Sequence, residues 1–386
     1  MEMEMEMDNI AIVGVAQTKY ERRKKDQTFY EMVYEVTTRA LEDSGLTLGH
    51  IDNVITVSND FLDGRTISSM AVAEAAGGYE KNISTVEGDG TFGAFYGAMR
   101  VLGGFKSTLV VAHSKGSEGD IKYITNAMFD PIYQRSLGID AISAAALQAN
   151  TYMERYGITE VDFAKISVKN HSNAKNNPFA QLPLDLTVND VMQSRRVADP
   201  IKLLDCSPVS DGAAAIIIAN EEKVQKARTK PIWIKGIAHC AEDYFLGDRD
   251  LAHPKSLKDA AKRAYKMAGI INPREEIDVV ELYDAFSYME PLWLEGMGFC
   301  DPGQGGKMID MKITTMDGKI PVNPSGGVLS AHPILVAGLA RIIEAVLQLR
   351  GEAGDRQVQG VNKALAHGIN GPCGQSHCVW ILSRDK

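Results

Sequence analysis

The chain has 386 residues, of which 45% are hydrophobic, and a formal net charge of −9. This length can bury a large core, as two similar domains or one layered domain, and the acidic balance argues against nucleic acid as a partner. The five cysteines have no CxxC spacing and no apolar run reaches about 18 residues, so the sequence predicts free thiols, a cytoplasmic location and no membrane span. The repeat MEMEMEM at the start is predicted to lie outside the fold.

The first part of the chain alternates between strand and helix patterns. A strand, NIAIVGVAQ, precedes an amphipathic helix, TFYEMVYEVTTRALEDSG, which ends at Gly45. Two further strands, IDNVITVS and STLVVAHS, flank a strand–turn–helix at 84–104, and DGAAAIIIANEEKVQ returns as a core strand. This order predicts βαβ units and a mainly parallel sheet.

The segment 84–104 has the form of a nucleophile elbow without a nucleophile. NISTVEG is typical of a buried strand, GDGTFG of a tight turn and TFGAFYGAMRVL of an apolar helix. Such a turn often presents a serine or cysteine at the helix N-terminus, where free N–H groups stabilise an anion. In this chain the turn offers Gly90 instead.

The chain is predicted to contain an internal duplication. Its later part repeats the first plan, with a strand at PIWIKGIAHCAE, a helix that ends at Gly269 and a long apolar helix in HPILVAGLARIIEAVLQLRG. We assign an N-terminal half to 8–116 plus 201–228 and a C-terminal half to 229–386, with the two apolar helices between sheets. Residues 117–200 are polar and irregular, with short helices, which is typical of a lid inserted over one face.

Turns in the second half carry residue types suited to chemistry. In NPSGGVLSAHP, His332 stands at the start of a helix, where a neutral imidazole can donate to an oxyanion or accept a thiol proton. In ELYDAFS, Tyr283 can act as an acid or a hydrogen-bond donor, although a packed core tyrosine is the simpler interpretation. In NGPCGQSHC, Cys373 lies in a Gly/Pro turn whose free N–H groups can activate a thiol.

A polar stretch within the insertion is a candidate substrate-binding segment. VKNHSNAKNNPFAQ contains Lys169 and His171, which suit phosphate or ribose groups, and a solvated loop is the alternative. The chain has no GxGxxG fingerprint after a strand, so nothing indicates a dinucleotide cofactor.

Taken together, these segments resemble the thiolase superfamily, specifically the sterol-carrier-protein-2-type and archaeal thiolases. The markers are VKNHSNAKNNPFAQ, LLDCSPVSDGAAA, ELYDAF, GMGFCDPGQGG, NPSGGVLSAHP and the glycine-rich C-terminal turn. The resemblance implies an α/β thiolase fold of five layers, αβαβα, with two related halves, and a tight homodimer. It also implies acyl-CoA substrates, coenzyme A as a substrate rather than a tightly bound cofactor, no metal, and a small partner protein with a zinc ribbon and an OB-fold.

The departures from the family pattern concern the reaction centre. The nucleophilic cysteine of the family falls at Gly90, and the histidine of its HDAF motif is Tyr283. The histidine of its GHP motif is retained as His332, and its C-terminal glycine turn holds Cys373. By resemblance, Tyr283, His332 and Cys373 are therefore the expected catalytic residues. Oxyanion or backbone contacts are expected at Gly90, Asn323 and Gly374.

Three functions follow from this pattern. The first is thiolase-like cleavage or formation of a 3-oxoacyl-CoA, with Cys373 as acyl acceptor or base, or with direct attack by CoA. Gly90 would then leave room for a bulky aromatic or branched acyl group, such as that of benzoylsuccinyl-CoA. The second is a retro-aldol lyase of the steroid side-chain type, in which Tyr283 deprotonates a 3-hydroxyacyl-CoA, although such lyases tend to lose the histidine that this chain keeps. The third is a non-catalytic scaffold that binds acyl-CoA.

Overall fold

The computed structural model describes residues 10–386, and the MEMEMEM start lies outside the described residues. The strands are β1 (Ile10–Gln17), β2 (Asn53–Val57), β3 (Asn82–Val86), β4 (Ser107–Lys115), β5 (Arg196–Ala198), β6 (Ile201–Lys202), β7 (Asp211–Asn220), β8 (Ile232–Ala241), β9 (Val279–Glu281), β10 (Lys363–Asn370) and β11 (Ser376–Ser383). The helices are α1 (Phe29–Ser44), α2 (Asp60–Asp63), α3 (Ser68–Val72), α4 (Gly90–Leu102), α5 (Ile121–Asn126), α6 (Ala141–Tyr156), α7 (Glu160–Ala174), α8 (Val188–Gln193), α9 (Glu221–Val224), α10 (Lys255–Ala268), α11 (Pro273–Glu276), α12 (Met289–Gly296), α13 (Gly305–Asp310), α14 (Gly327–Ser330) and α15 (Ala337–Arg350).

One nine-stranded sheet, in the order β3-β2-β4-β7-β1-β8-β11-β10-β9, joins the two halves at β1 and β8. Outward from this junction both halves show the same pairing, antiparallel, antiparallel and then parallel. In the second half, a parallel β-bridge between Val280 and Val322 takes the place that the parallel pairing of β2 with β3 has in the first half. The two halves therefore repeat one plan, as the sequence predicts.

The sheet is mixed, and the prediction of a mainly parallel sheet was wrong. The last two strands, β10 and β11, are joined by a tight turn at 371–375, and a hairpin of this kind forces antiparallel pairing. A second correction concerns β3, which is an edge strand with half-exposed side chains rather than a buried one.

Helices and sheet halves stack in five layers, αβαβα. The outer helix α1 packs Val33 and Val36 against Ile217 of the first half. The two apolar helices α4 and α15 lie between the halves, where Ala98 and Leu339 share one core with strands of both. The outer face of the second half is covered by α10 and α12. This burial of helix faces on both sides of the sheet explains the long apolar strands.

The predicted helix boundaries hold where the sequence supplies caps. Thr28 Oγ1 accepts from the Glu31 N–H at 3.2 Å, and the Glu31 carboxylate accepts from the Thr28 N–H at 2.7 Å. The first helix ends at Gly45 (φ 72°) and α10 ends at Gly269 (φ 66°), both in the left-handed region. No helix within residues 10–386 is long and apolar enough to cross a membrane.

The inserted segment 117–200 is more helical than its sequence predicts. Its two main helices, α6 and α7, have 16 and 15 residues. They begin at Asp140 and Thr159, whose side chains cap them, and they bury Tyr152 and Phe163 in the core of the C-terminal half. The insertion is therefore packed onto the second half over one end of the sheet.

Candidate active site

Three turns of the C-terminal half open onto one cavity of about 230 Å³. Tyr283 follows β9, His332 lies between α14 and α15, and Cys373 lies in the turn between β10 and β11. The structure therefore brings the three expected catalytic side chains around one space. Apolar residues complete much of the wall, among them Met128, Ile142, Ala145, Phe286 and Met289.

A tyrosine–histidine pair is the polar centre of the cavity. The Tyr283 hydroxyl lies 2.6 Å from His332 Nε2, and Ser207 Oγ lies 2.8 Å from His332 Nδ1. When Ser207 donates to Nδ1, His332 donates from Nε2 and the tyrosine O–H is free for a ligand. In the other tautomer, Nε2 accepts the tyrosine proton. The pair can therefore take a proton from a ligand or give one to it.

Burial sets the protonation state of this pair. It lowers the pKa of His332 to about 4, so the imidazole is neutral at pH 7. Burial, followed by the charges of Asp89 and Asp284, raises the pKa of Tyr283 well above its usual value, so the phenol stays protonated. A neutral imidazole within hydrogen-bond distance of a protonated phenol has the geometry to pass a proton to or from a bound ligand.

Buried aromatic side chains hold the tyrosine backbone from behind. The Tyr283 N–H donates to His367 Nδ1 at 3.3 Å, and His367 Nε2 lies 2.9 Å from His377 Nδ1. Trp293 Nε1 donates to the Tyr283 carbonyl at 2.9 Å. Because the N–H and the carbonyl of Tyr283 are both hydrogen-bonded, the backbone from which the phenol side chain extends is fixed next to the cavity.

The thiol of Cys373 is buried and protonated. Burial raises the pKa of the Cys373 thiol to about 12, against an opposing effect of Arg249. The Cys373 backbone has φ 54°, and its carbonyl accepts a hydrogen bond from Gln148 Nε2 at 3.3 Å. The Tyr288 hydroxyl donates to Gln148 Oε1 at 2.8 Å and so orients that amide. A thiol in this state can donate a proton, whereas nucleophilic attack requires the thiolate.

The position of the family's nucleophile has no room for a side chain. A Cβ at Gly90 would lie 2.5 Å from Leu339 Cβ and 3.0 Å from the Leu335 carbonyl oxygen. The Gly90 N–H donates to that same carbonyl at 2.6 Å, so it is not free for an oxyanion. This corrects the expectation that Gly90 makes an oxyanion contact and leaves space for the acyl group, because α15 fills that space.

Sequence reasoning missed Asp89, the residue before this glycine. Asp89 is 4% exposed and lines the cavity. Its carboxylate accepts from Thr91 Oγ1 at 2.6 Å, Thr91 N at 2.9 Å and Gly338 N at 2.8 Å. Burial raises the pKa of Asp89 to about 6 in spite of these hydrogen bonds. An Asp directly before a helix is an N-cap signal and marks this position in the sequence.

Asn323 and Gly374 shape turns and do not line the cavity. Asn323 Oδ1 accepts from the Leu282 N–H at 2.8 Å, with the Asn323 backbone at φ 52°. Gly374 has φ 62°, and a Cβ there would lie 2.5 Å from His377 Nε2. The structure therefore does not bring these two residues to the reaction centre, contrary to the expectation for oxyanion contacts.

The expected substrate-binding residues are also placed elsewhere. VKNHSNA forms the end of α7, not a loop, and Lys169 and His171 are 8% and 1% exposed. Lys169 Nζ pairs with Glu290 Oε1 at 2.8 Å, and His171 Nδ1 lies 2.9 Å from the Leu182 carbonyl. Lys169 is thus paired with a carboxylate of the C-terminal half, and His171 contacts a carbonyl of the inserted segment, so both side chains are turned inward.

Metal binding has no counterpart in the described part of the chain. Among residues 10–386, no group of three or more His, Cys, Asp or Glu side chains is placed to hold a metal ion.

The chain is similar to known proteins over nearly its whole length. Residues 238–384 match the family model described as thiolase C-terminal domain-like. The chain is 36% identical to the acetyl-CoA acetyltransferase of Methanothermobacter thermautotrophicus, over 98% of its own length and 100% of that relative. The chain belongs to the thiolase family. It is accordingly an acyl-CoA acyltransferase of the thiolase type.

Two further similarities were found, one to a relative in sequence and one to a solved structure. The benzoylsuccinyl-CoA thiolase subunit BbsB of Thauera aromatica is 37% identical over 59% of this chain and 60% of its own length. A solved structure named Ltp2-ChsH2(DUF35) aldolase superposes with a TM-score of 0.85 at 24% identity, covering 98% of both chains. At that identity the second similarity shows the thiolase fold alone.

Proposed function

We propose that this thiolase-family enzyme cleaves, or in reverse forms, the carbon–carbon bond of a 3-oxoacyl-CoA with CoA and without an acyl-enzyme at position 90. The observation that carries the proposal is the 2.6 Å contact between Tyr283 and His332 in the cavity. Gly90 supports it, because α15 leaves that position no space for the usual nucleophile.

The CoA thiol supplies the nucleophile in this reaction. Its proton passes to the Tyr283–His332 pair, its sulfur forms a bond to the ketone carbon, and the tyrosine O–H stabilises the resulting oxyanion. The bond between the ketone carbon and the α-carbon then breaks, and its electron pair moves onto the thioester enolate. The protonated Cys373 thiol gives that enolate a proton and is reprotonated by the pair. The net change is one carbon–sulfur bond made, one carbon–carbon bond broken and one proton moved.

A bulky, apolar acyl group suits the wall of the cavity. A cavity of about 150 Å³ with apolar walls accepts a benzene molecule, and this one measures about 230 Å³ with Ile142, Phe286 and Met289 in its wall. The relative named as a benzoylsuccinyl-CoA thiolase subunit points the same way. We therefore propose an aromatic or branched substrate such as benzoylsuccinyl-CoA, with room provided by the insertion and the C-terminal half.

Product analysis tests this function. Benzoylsuccinyl-CoA and CoA are incubated with the enzyme, and acetoacetyl-CoA serves as the small substrate for comparison. We expect two CoA thioesters from each cleavage, consumption of one CoA, and a preference for the aromatic substrate. Formation of an aldehyde or ketone without consumption of CoA would refute thiolysis.

A retro-aldol lyase is the second candidate, and one observation favours it. Removal of a proton from a β-hydroxyl group needs a base but no nucleophile, and the Tyr283–His332 pair is such a base in a cavity without a thiolate. The same incubation with a 3-hydroxyacyl-CoA separates the two functions, because only the lyase releases a carbonyl product in the absence of free CoA. CoA binding without turnover of either substrate would support the scaffold.

The assembly of the enzyme is also a proposal. The aldolase structure is named with a second component, ChsH2(DUF35), which supports a small zinc-ribbon and OB-fold partner for this chain, and the resemblance supports a homodimer. Light scattering after size-exclusion chromatography measures the oligomeric state. Co-purification of the chain from its native source with a zinc-containing protein of low mass would support the partner.

A further inference from the structure

A second cavity of about 680 Å³ lies beside the reaction cavity and has basic residues in its wall. Arg22 and Arg23, from the connection between β1 and α1, form part of one side. Lys122, near the start of α5 in the insertion, contributes to the wall as well. Separate parts of the chain therefore bring three cationic side chains to one recess.

The basic cavity adjoins the reaction cavity. Ile121, Pro208 and Val209 line both spaces. The neighbouring Ser207 makes the 2.8 Å contact with His332 Nδ1 that belongs to the reaction centre. One short segment, 207–209, therefore leads from the catalytic pair to the basic recess.

A buried carboxylate holds the walls of this recess together. Asp211 is fully buried and accepts from the Lys24 N–H at 2.9 Å, the Ser117 N–H at 3.1 Å and Ser117 Oγ at 2.7 Å. The backbone of Asp211 also pairs with that of Glu21. The loop of Arg22 and Arg23 is thus tied to the turn before α5, and the recess is a built feature of the fold.

The cations in this wall are available to a ligand. Arg22 and Arg23 are exposed, and within residues 10–386 neither makes an ion pair, nor does Lys122. One carboxylate, Asp120, lies in the same wall and caps α5 through the Lys122 N–H at 3.1 Å. Three cations and one carboxylate line the recess, and the buried Asp211 lies behind that lining, so the surface that meets a ligand is positive on a chain whose net charge is −9.

We propose that Arg22 and Arg23, assisted by Lys122, bind the phosphate groups of CoA at the mouth of the reaction cavity. The inference rests on the proposed function, because CoA carries its thiol and its phosphates at opposite ends of one flexible arm. The thiol end reaches Tyr283 and His332 along the shared wall while the phosphates stay in the recess. Guanidinium groups suit phosphate oxygens because they bind them in a bidentate way.

A third cavity, which also has basic residues in its wall, provides a matched control. It measures about 950 Å³ and is lined by Lys258 and Lys262 of α10, and it shares no lining residue with the reaction cavity. The variant Lys258→Ser/Lys262→Ser removes the same charge as Arg22→Ser/Arg23→Ser, from exposed positions on the other half of the molecule.

Titration calorimetry with CoA, 3′-dephospho-CoA and pantetheine tests the assignment without turnover. We expect the Arg22→Ser/Arg23→Ser enzyme to bind CoA about tenfold more weakly than the wild type, as two exposed ion pairs lost would give. The loss is expected to be smaller for dephospho-CoA and absent for pantetheine, and to shrink in high salt. Lys258→Ser/Lys262→Ser is expected to bind all three ligands as the wild type does.

The outcomes separate this inference from the proposed function. Wild-type enzyme that binds no CoA would contradict the proposed function itself. Wild-type binding of CoA that Arg22→Ser/Arg23→Ser leaves unchanged would overturn the phosphate site alone, as would equal weakening by the control variant. Melting temperatures equal to the wild type establish that both double variants are folded.

Discussion

Replacing Gly90 with alanine tests whether α15 excludes a nucleophile from this turn. The added Cβ would lie 2.5 Å from Leu339 Cβ and 3.0 Å from two backbone atoms, so repacking of one flexible side chain cannot relieve the clash. Overpacking of this kind costs about 3 kcal/mol, while the better helix propensity of alanine returns up to about 1 kcal/mol. We expect a net loss of about 2 kcal/mol.

Calorimetric melting measures the effect. A chain of 386 residues has an unfolding entropy of about 0.8 kcal/mol/K, so a loss of about 2 kcal/mol lowers the melting temperature by about 2.5 °C. Gly247→Ala is the matched control, since nothing lies within 4 Å of a Cβ there. If Gly90→Ala melts at or above the wild-type temperature, the steric argument is wrong. Gly90→Cys is expected to be destabilised likewise and to show no burst of acyl-enzyme.

Four further predictions concern individual side chains. Tyr283→Phe removes the hydroxyl that contacts His332 and is expected to lower kcat about 10²–10³-fold with an unchanged melting temperature; a smaller loss would exclude a proton-transfer role. Burial lowers the pKa of His332 to about 4, so below pH 6.5 the unfolded chain binds a proton that the folded chain does not, and the free energy of unfolding falls as the pH drops from about 6.5 to 4. Urea unfolding of His332→Gln is expected to show a weaker fall over this range, and identical curves would contradict a buried neutral imidazole. Lys169→Met leaves the buried Glu290 without its 2.8 Å partner and is expected to cost about 3–5 kcal/mol of stability with CoA affinity preserved; a stable variant that binds CoA poorly would restore Lys169 as a substrate ligand. Because burial raises the pKa of Cys373 to about 12, iodoacetamide is expected to label this thiol far more slowly than free cysteine at pH 8, as read by peptide mass analysis, and rapid labelling would identify an accessible thiolate.

The sequence predicts the fold well because the local signals and the burial pattern agree. Thr28 and Gly45 mark the ends of α1 by their side-chain chemistry, and the apolar residues of α15 match its position between two sheet halves. The mixed character of the sheet was missed, because strand direction depends on connections such as the turn at 371–375, which periodicity does not report.

The candidate site was only partly accessible to sequence reasoning. The proximity of Tyr283 to His332 follows from the family pattern, and the structure gives it a distance. Composition made Lys169 look like a surface cation, but one face of α7 packs inward and the nearby Glu290 compensates its charge. Arg22 was overlooked because an exposed loop carries no periodic signal. The hydrogen bond that holds this loop, from the Lys24 N–H to Asp211, joins residues 187 positions apart in the chain.

The contact between Ser207 and His332 makes the chemistry sensitive to how the two repeats are aligned. Ser207 enters the site from the segment that leads back into the first repeat, whereas His332 and its phenolic partner belong to the second. The segment is held to the second repeat by its backbone, because the Ser207 N–H donates to the Ala285 carbonyl at 2.9 Å and the Ser210 N–H to the His332 carbonyl at 3.1 Å. The orientation of the imidazole therefore depends on the seam where the end of one repeat is bonded to the other, and we expect activity to be lost when that seam opens.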